Sequence, residues 1–184
     1  MFDRTTWEFI NTFASWFAAL GTFLAVVTSL YLARRDMVIR LAVNAGIRKI
    51  VLSGQPIVSG QDVVSINVTN VGRRGASVTG IFWKAGILRP DFFEQVPPAS
   101  IQLPVKLSDG DEVVFRFPMQ QFEQGVLAII ERLAARPFPT LQARSIKAGV
   151  YTSAGGPFMT TIEHRLKQWF VSATLKHRKK QTPA

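Results

Sequence analysis

The chain has two histidines, His164 and His177. Thirteen residues apart, they do not match the one-turn spacing of a zinc-binding helix such as H-E-x-x-H. The adjacent Glu163–His164 pair would point in different directions from a helix, so surface histidines are expected. With no histidine in residues 39–162, a Ser-His-Asp relay is not expected there, and nothing marks a Ser–Lys dyad. The chain has no Cys, which removes disulfides, thiolate zinc sites, iron–sulfur clusters and cysteine nucleophiles together. Asp109, Asp111 and Glu112 form the one acidic cluster. A calcium or magnesium loop needs more oxygen ligands at set spacing, so a charged turn opening a strand is expected instead. Gly72 and Gly75 flank Arg73-Arg74, but no phosphate-cradling glycine motif precedes a helix. Asn67-Val68-Thr69 matches the glycosylation triplet but falls inside a predicted strand and reads as accidental. No catalytic residue, metal or cofactor is expected, and the chain reads as a non-enzyme.

What positions these residues follows from composition and pattern. The 184 residues allow one domain and an appendage. The chain is 47% hydrophobic and 18% charged, below the ~25% charged of ordinary soluble proteins. That excludes a disordered chain. Lys and Arg number 22 against 12 Asp and Glu, a net charge of +10, which suggests a polyanionic neighbour: a membrane surface or nucleic acid.

Between Glu8 and Arg34 there is no charged residue. Residues 9–33 are 25 positions, 18 of them apolar. As a helix they would run roughly 37 Å, enough to cross a ~30 Å hydrocarbon core with some tilt. Its Phe, Leu, Ile and Val residues together favour insertion by roughly 3–6 kcal/mol. Trp7 and Tyr31 stand near the ends, where amphipathic rings favour the interface. A buried core helix is usually shorter, a cleavable signal peptide wants a basic start and a small-residue cut site, and an interfacial helix needs a charged face. One transmembrane helix is therefore predicted, after a short outer segment at 1–8 and before a basic linker at 34–38. Arg34, Arg35, Arg40, Arg48 and Lys49 follow it against Arg4 before it. The positive-inside bias then puts the N-terminus outside and the rest in the cytosol. Residues 34–184 carry 21 basic and 10 acidic side chains, net +11. Arg34, Arg35, Lys176, Arg178, Lys179 and Lys180 are the expected contacts to anionic lipid headgroups. Gly21, Ala25, Ser29 and Ala33 recur every four residues, a stripe suited to helix self-association and hence to a homo-oligomer. The competing account is that such residues are simply common in membrane helices.

After Arg35 the pattern becomes alternating: Ile39-Leu41-Val43, Val64-Ile66-Val68, Val113-Phe115-Phe117 and Ile146-Ala148-Val150. Period two means strands with one wet face. Lys49–Ser53, Ala76–Trp83, Ala85–Leu88, Ile101–Leu107 and Phe158–Ile162 are weaker strand candidates. Turns are expected at Asn70–Gly75 as a hairpin, at Ser108–Asp111, and at Ser153–Pro157 as a second hairpin. Short strands with glycine-rich turns predict a mainly β fold, an antiparallel sandwich over residues 39–162. A helix at 119–135, ended by Arg136-Pro137, is expected as an insertion over one end. A basic amphipathic helix and tail follow at 163–184. Its Leu166-Trp169-Phe170-Ala173 face either packs on the sandwich or lies on headgroups.

The run from Ser65 to Ile81, SINVTNVGRRGASVTGI, resembles the V-T-N-x-G hairpin of immunoglobulin-like bacterial domains. With the N-terminal span and its basic end, the chain is similar to small bacterial single-pass membrane proteins bearing a cytosolic immunoglobulin-like β-sandwich. The resemblance implies architecture and inner-membrane placement, and carries no chemistry across. The expected function is a membrane-anchored adaptor presenting its sandwich to a protein partner, in an envelope or phage-related system. Arg73, Arg74 and Trp83 are candidate contacts, although a strand Trp is more commonly core. A membrane-tethered nucleic-acid binder is the next reading, weakened because no basic strip is interleaved with aromatics. An envelope enzyme with an unrecognised site is the third.

Overall fold

The computed structural model describes residues 4–50, 61–87, 89–153 and 155–181, without the side chains of 4–12, 35–37 and 181. Expectations at 1–3, 51–53, Leu88, Ala154 and 182–184, and those on the Trp7 and Arg35 side chains, lie outside the described residues. The chain divides into two compact units between Val38 and Ile39.

The first unit is one helix, α1 (Arg4–Met37). It begins before residue 9 and runs through most of the expected 34–38 linker, because no proline or cap interrupts it there. Phe13–Arg34 is long and apolar enough to cross a membrane, with mean hydropathy 1.8 and none of it buried.

The second unit contains two antiparallel sheets around a shared core. Strands β1 (Leu41–Ile50), β2 (Gln61–Asn70) and β6 (Glu112–Pro118) form one sheet in the order β1-β2-β6. The other has the order β4-β3-β7-β8, from β3 (Ala76–Ala85), β4 (Asp91–Gln95), β7 (Lys147–Thr152) and β8 (Gly155–Thr161). Strand β5 (Val105–Leu107) also pairs β3. Register sets apolar residues in rows across the first sheet: Ala45–Ile66–Phe115 and Ile47–Val64–Phe117. In the second sheet Trp83 pairs Ala148, whose small side chain leaves space for the indole. All these residues lie in one core.

The alternating pattern was a sound guide to these strands, but several local expectations need correction. Ile39–Val43 and the described residues Lys49 and Ile50 do not form separate strands; Leu41–Ile50 is one ten-residue strand. Ala85 closes β3 rather than opening a new strand, and Gly86 then turns the chain with φ +102°. In Ile101–Leu107 only the last three residues are β-paired. The Asn70–Gly75 segment is not a hairpin: it carries the chain from one sheet to the other. Strand β2 is already paired on both sides, and its end is held to the β5–β6 turn. There Asn70 N–H donates to the Asp111 carbonyl at 2.9 Å, and Gly110 N–H donates to the Asn70 carbonyl at 2.9 Å. The β7–β8 connection is a hairpin, as expected.

Among the described residues four helices accompany the sheets, rather than one or two. The expected 119–135 helix is broken into α2 (Met119–Gly125) and α3 (Leu127–Ala134). Gly125 faces the Gln95 amide so closely that a Cβ would sit 3.0 Å from Nε2, and Val126 leaves helical geometry at ψ 6°. A short α4 (Pro139–Arg144), opened by proline in its first turn, was not foreseen. The last helix is α5 (His164–Gln181).

Candidate interaction surfaces

On α1, Gly21, Ala25, Ser29 and Ala33 share a face by their four-residue spacing. A Cβ added at Gly21 would meet nothing within 4 Å, so this stripe is open to a second backbone. Thr22 Oγ1 donates to the Ala18 carbonyl at 2.9 Å. The hydroxyl is thereby satisfied inside the helix, as an apolar solvent would require. Arg34 is exposed at the end of the apolar run.

Helix α5 belongs to the core on one side and is cationic on the other. Leu166, Phe170 and Thr174, one turn apart, are fully buried. The Thr174 hydroxyl can be buried because it donates to the Phe170 carbonyl at 2.8 Å. Phe170 lies in an aromatic cluster with Trp83, Phe122 and Trp169, at centroid distances of 5.8, 5.9 and 5.1 Å. The apolar face thus takes the packing alternative.

The entry to α5 is fastened to β1. Glu163 N–H donates to the Ala45 carbonyl at 2.9 Å, and both Glu163 carboxylate oxygens accept from the Arg48 guanidinium. That bidentate bond, more than the charge itself, holds the Glu163 carboxyl below its ordinary range and raises Arg48.

The rest of α5 faces outward. Lys176, Arg178, Lys179 and Lys180 are exposed. The helix carries no acidic residue. The grooves it forms against α3 and α4 differ. Against α3 it forms a cleft of about 400 Å³ whose lining includes Glu123, Leu127, Ile130, Trp169, Lys176 and His177. His177 Nε2 also lies 3.7 Å from Glu131 of α3. Against α4 it forms a groove of about 540 Å³ lined by Arg144, His164, Lys167, Gln168, Val171 and Leu175, with no carboxylate among them. The sequence reading missed Arg144 and Lys167, since nothing local announced α4 or the way it lies on α5.

Arg73 and Arg74 are exposed on the inter-sheet segment. Buried Asn70 shapes it: its amide donates to the Arg74 and Leu107 carbonyls at 2.9 and 3.1 Å, and its Oδ1 accepts from Gly72 N–H at 3.0 Å. The N-x-G spacing was the available signal for this arch. Trp83 is fully buried, and its indole N–H donates to Gln95 at 3.2 Å. A contact role on the surface is therefore withdrawn for Trp83, whose part is in the core. The grouping of Arg73, Arg74 and Trp83 does not hold.

Around the acidic cluster, Ser108 N–H donates to Asp111 at 2.7 Å and Asn67 to Glu112 at 2.8 Å, bonds that build a turn and join strands. Among the described residues no three His, Asp or Glu side chains are grouped to hold a metal ion.

No family model and no curated protein matches the chain. Among solved structures it is similar to one from Bordetella pertussis bearing the name ApaA, at 14% identity and a TM-score of 0.33, over 68% of this chain and 89% of that one. The X-ray structure of Northeast Structural Genomics Consortium target SoR45 shows 12% identity and a TM-score of 0.27, over 70% and 84%. At these scores neither likeness bears on fold family or function.

Proposed function

We propose that the chain is a membrane-anchored, non-enzymatic interaction module. Helix α1 spans the bilayer with the N-terminus outside, and the two-sheet domain stands in the cytosol for a protein partner. The observation that carries this reading is the apolar Phe13–Arg34 surface, none of it buried and uncharged up to Arg34. Large apolar side chains such as Phe17, Phe23 and Leu30 are more than half exposed, and lipid removes such surface from water at roughly 25 cal/mol per Å². The cationic end at Arg34 and Arg35 supports the inside orientation. The Gly21-Ala25-Ser29-Ala33 stripe supports self-association in the bilayer.

The domain is read as an immunoglobulin-like sandwich. Strands β1, β2 and β6 correspond in order to A, B and E, and β3, β7 and β8 to C, F and G. A buried tryptophan on the third strand, Trp83, fits that scheme, although the paired cysteines of antibody domains are absent. Such domains offer loops at the sandwich ends, and the Arg73–Arg74 arch is the surface assigned here to the partner.

Crosslinking with mass spectrometry in native membranes tests the adaptor role. A reproducible cytosolic protein crosslinked near Arg73 and Arg74 is expected; capture of nothing beyond self-contacts would remove the role. A cysteine introduced at residue 2 or at Thr182 and probed with an impermeant thiol reagent tests orientation. Labelling of residue 182 in intact cells would reverse it.

A further inference from the structure

Phe138 is 77% exposed and sits in left-handed backbone geometry, φ 55° and ψ 56°. An L-phenylalanine adopts that region only against a steric penalty, and an exposed ring gains nothing from it in water. It stands between Pro137 and Pro139, each with a fixed backbone angle. Pro139 and Ala143 are buried, so α4 is set firmly on the domain. The Gln142 side chain also accepts from Ile87 N–H at 3.1 Å. Leu141, one turn along α4, is 56% exposed, and Arg144 one turn further lines the groove shared with Lys167 and Leu175 on α5. Neither α4 nor α5 carries an acidic residue. A rigid, water-facing pair of apolar side chains, beside a groove that mixes the cations Arg144 and Lys167 with apolar Val171 and Leu175 and has no carboxylate, is complementary to a lipid interface, which offers phosphates outside and acyl chains within.

We propose that the α4–α5 face is a second membrane contact, specific for an anionic leaflet. Phe138 and Leu141 enter the headgroup–acyl boundary, and Arg144, Lys167 and the Lys176–Lys180 end of α5 meet lipid phosphates. This rests on the reading of α1 as a span. Three residues, Val38–Arg40, separate α1 from β1. They reach about 10 Å when extended, so the chain enters β1 within that distance of the end of α1.

The absence of Cys makes a direct test available. Nitroxides are placed one at a time through Phe138→Cys, Leu24→Cys and Asp109→Cys in the full chain, in nanodiscs of phosphatidylcholine with phosphatidylglycerol. Collision rates with oxygen and with a water-soluble nickel complex report depth. The expected result is a severalfold higher oxygen-to-nickel ratio at 138 than at 109. It should fall toward the value at 109 in pure phosphatidylcholine, or in ~1 M salt, where the screening length is about 3 Å. A label at 138 that stays in water while that at 24 is in lipid overturns this contact and leaves the span intact. Labels in water at both positions overturn the span as well. Equal immersion in neutral lipid overturns the anionic specificity, and shielding from both probes assigns the face to a protein instead.

Discussion

Replacing Phe170 by alanine asks whether α5 is part of the folded core or an appendage to it. The ring is fully buried and touches Trp83, Phe122 and Trp169 at 5.8, 5.9 and 5.1 Å. A buried Phe→Ala change costs about 3–5 kcal/mol from lost transfer energy and the cavity left behind. The upper half of that range is expected here, because three aromatic contacts are lost together and each is worth ~0.5–1.5 kcal/mol beyond area. The neighbours cannot collapse easily, since Trp83 is held by Gln95 and paired into the sheet at Ala148. For a unit of this size one kcal/mol shifts Tm by about 2–4 °C, so a fall of about 8–20 °C is expected. Near-UV circular dichroism of the full chain in detergent follows the buried Trp83 and half-buried Trp169 indoles, with Lys179→Ala as a surface control expected within ~0.5 kcal/mol. A Phe170→Ala shift no larger than that control would refute the packing of α5 into the core.

Other perturbations read different parts of the structure. Asn70→Ala should destabilise the domain by about 2–4 kcal/mol in urea unfolding, because the Leu107 and Arg74 carbonyls and Gly72 N–H lose a buried partner; a loss below ~1 kcal/mol would mean the arch does not depend on that amide. Gly149→Ala should cost about 1–3 kcal/mol, since the new methyl would sit 2.3 Å from the Phe82 ring, itself stacked on Tyr151 at 4.4 Å; an unchanged Tm contradicts that close approach. Glu163 is held below its ordinary value of 4.5, so the folded state favours its charged form. Its contribution is present above that pH and lost as pH falls through the folded value. The pair is partly exposed, so the effect is below ~1 kcal/mol. Glu163→Gln should flatten the acid side of the Tm–pH curve, and a parallel curve displaced at every pH would refute the linkage. Gly21→Ile with Ala25→Ile should reduce energy transfer between labelled chains in bilayers, and an unaltered signal would show that this stripe is not where helices meet.

Much of this protein is legible locally. An apolar run without charge needs no tertiary partner to be recognised, because the cost of wetting it is a property of the segment. The alternation at Val64-Ile66-Val68 and Val113-Phe115-Phe117 likewise records one wet and one dry face in the residues themselves, and these positions are in the core. What tertiary structure decided is which edges and faces find each other. Asn70–Gly75 has the residues of a hairpin, yet it bridges two sheets because both edges of β2 are taken by β1 and β6. Trp83 has a side chain fit for a partner surface or a core, and the small Ala148 opposite it and Gln95 beside it put it inside. The apolar face of α5 was open to lipid or protein until Phe122 and Trp83 supplied a matching wall. Phe138 and Arg144 carried no periodic signal, and their placement beside Lys167 depends on a six-residue helix whose footing is set by residues far away in the chain.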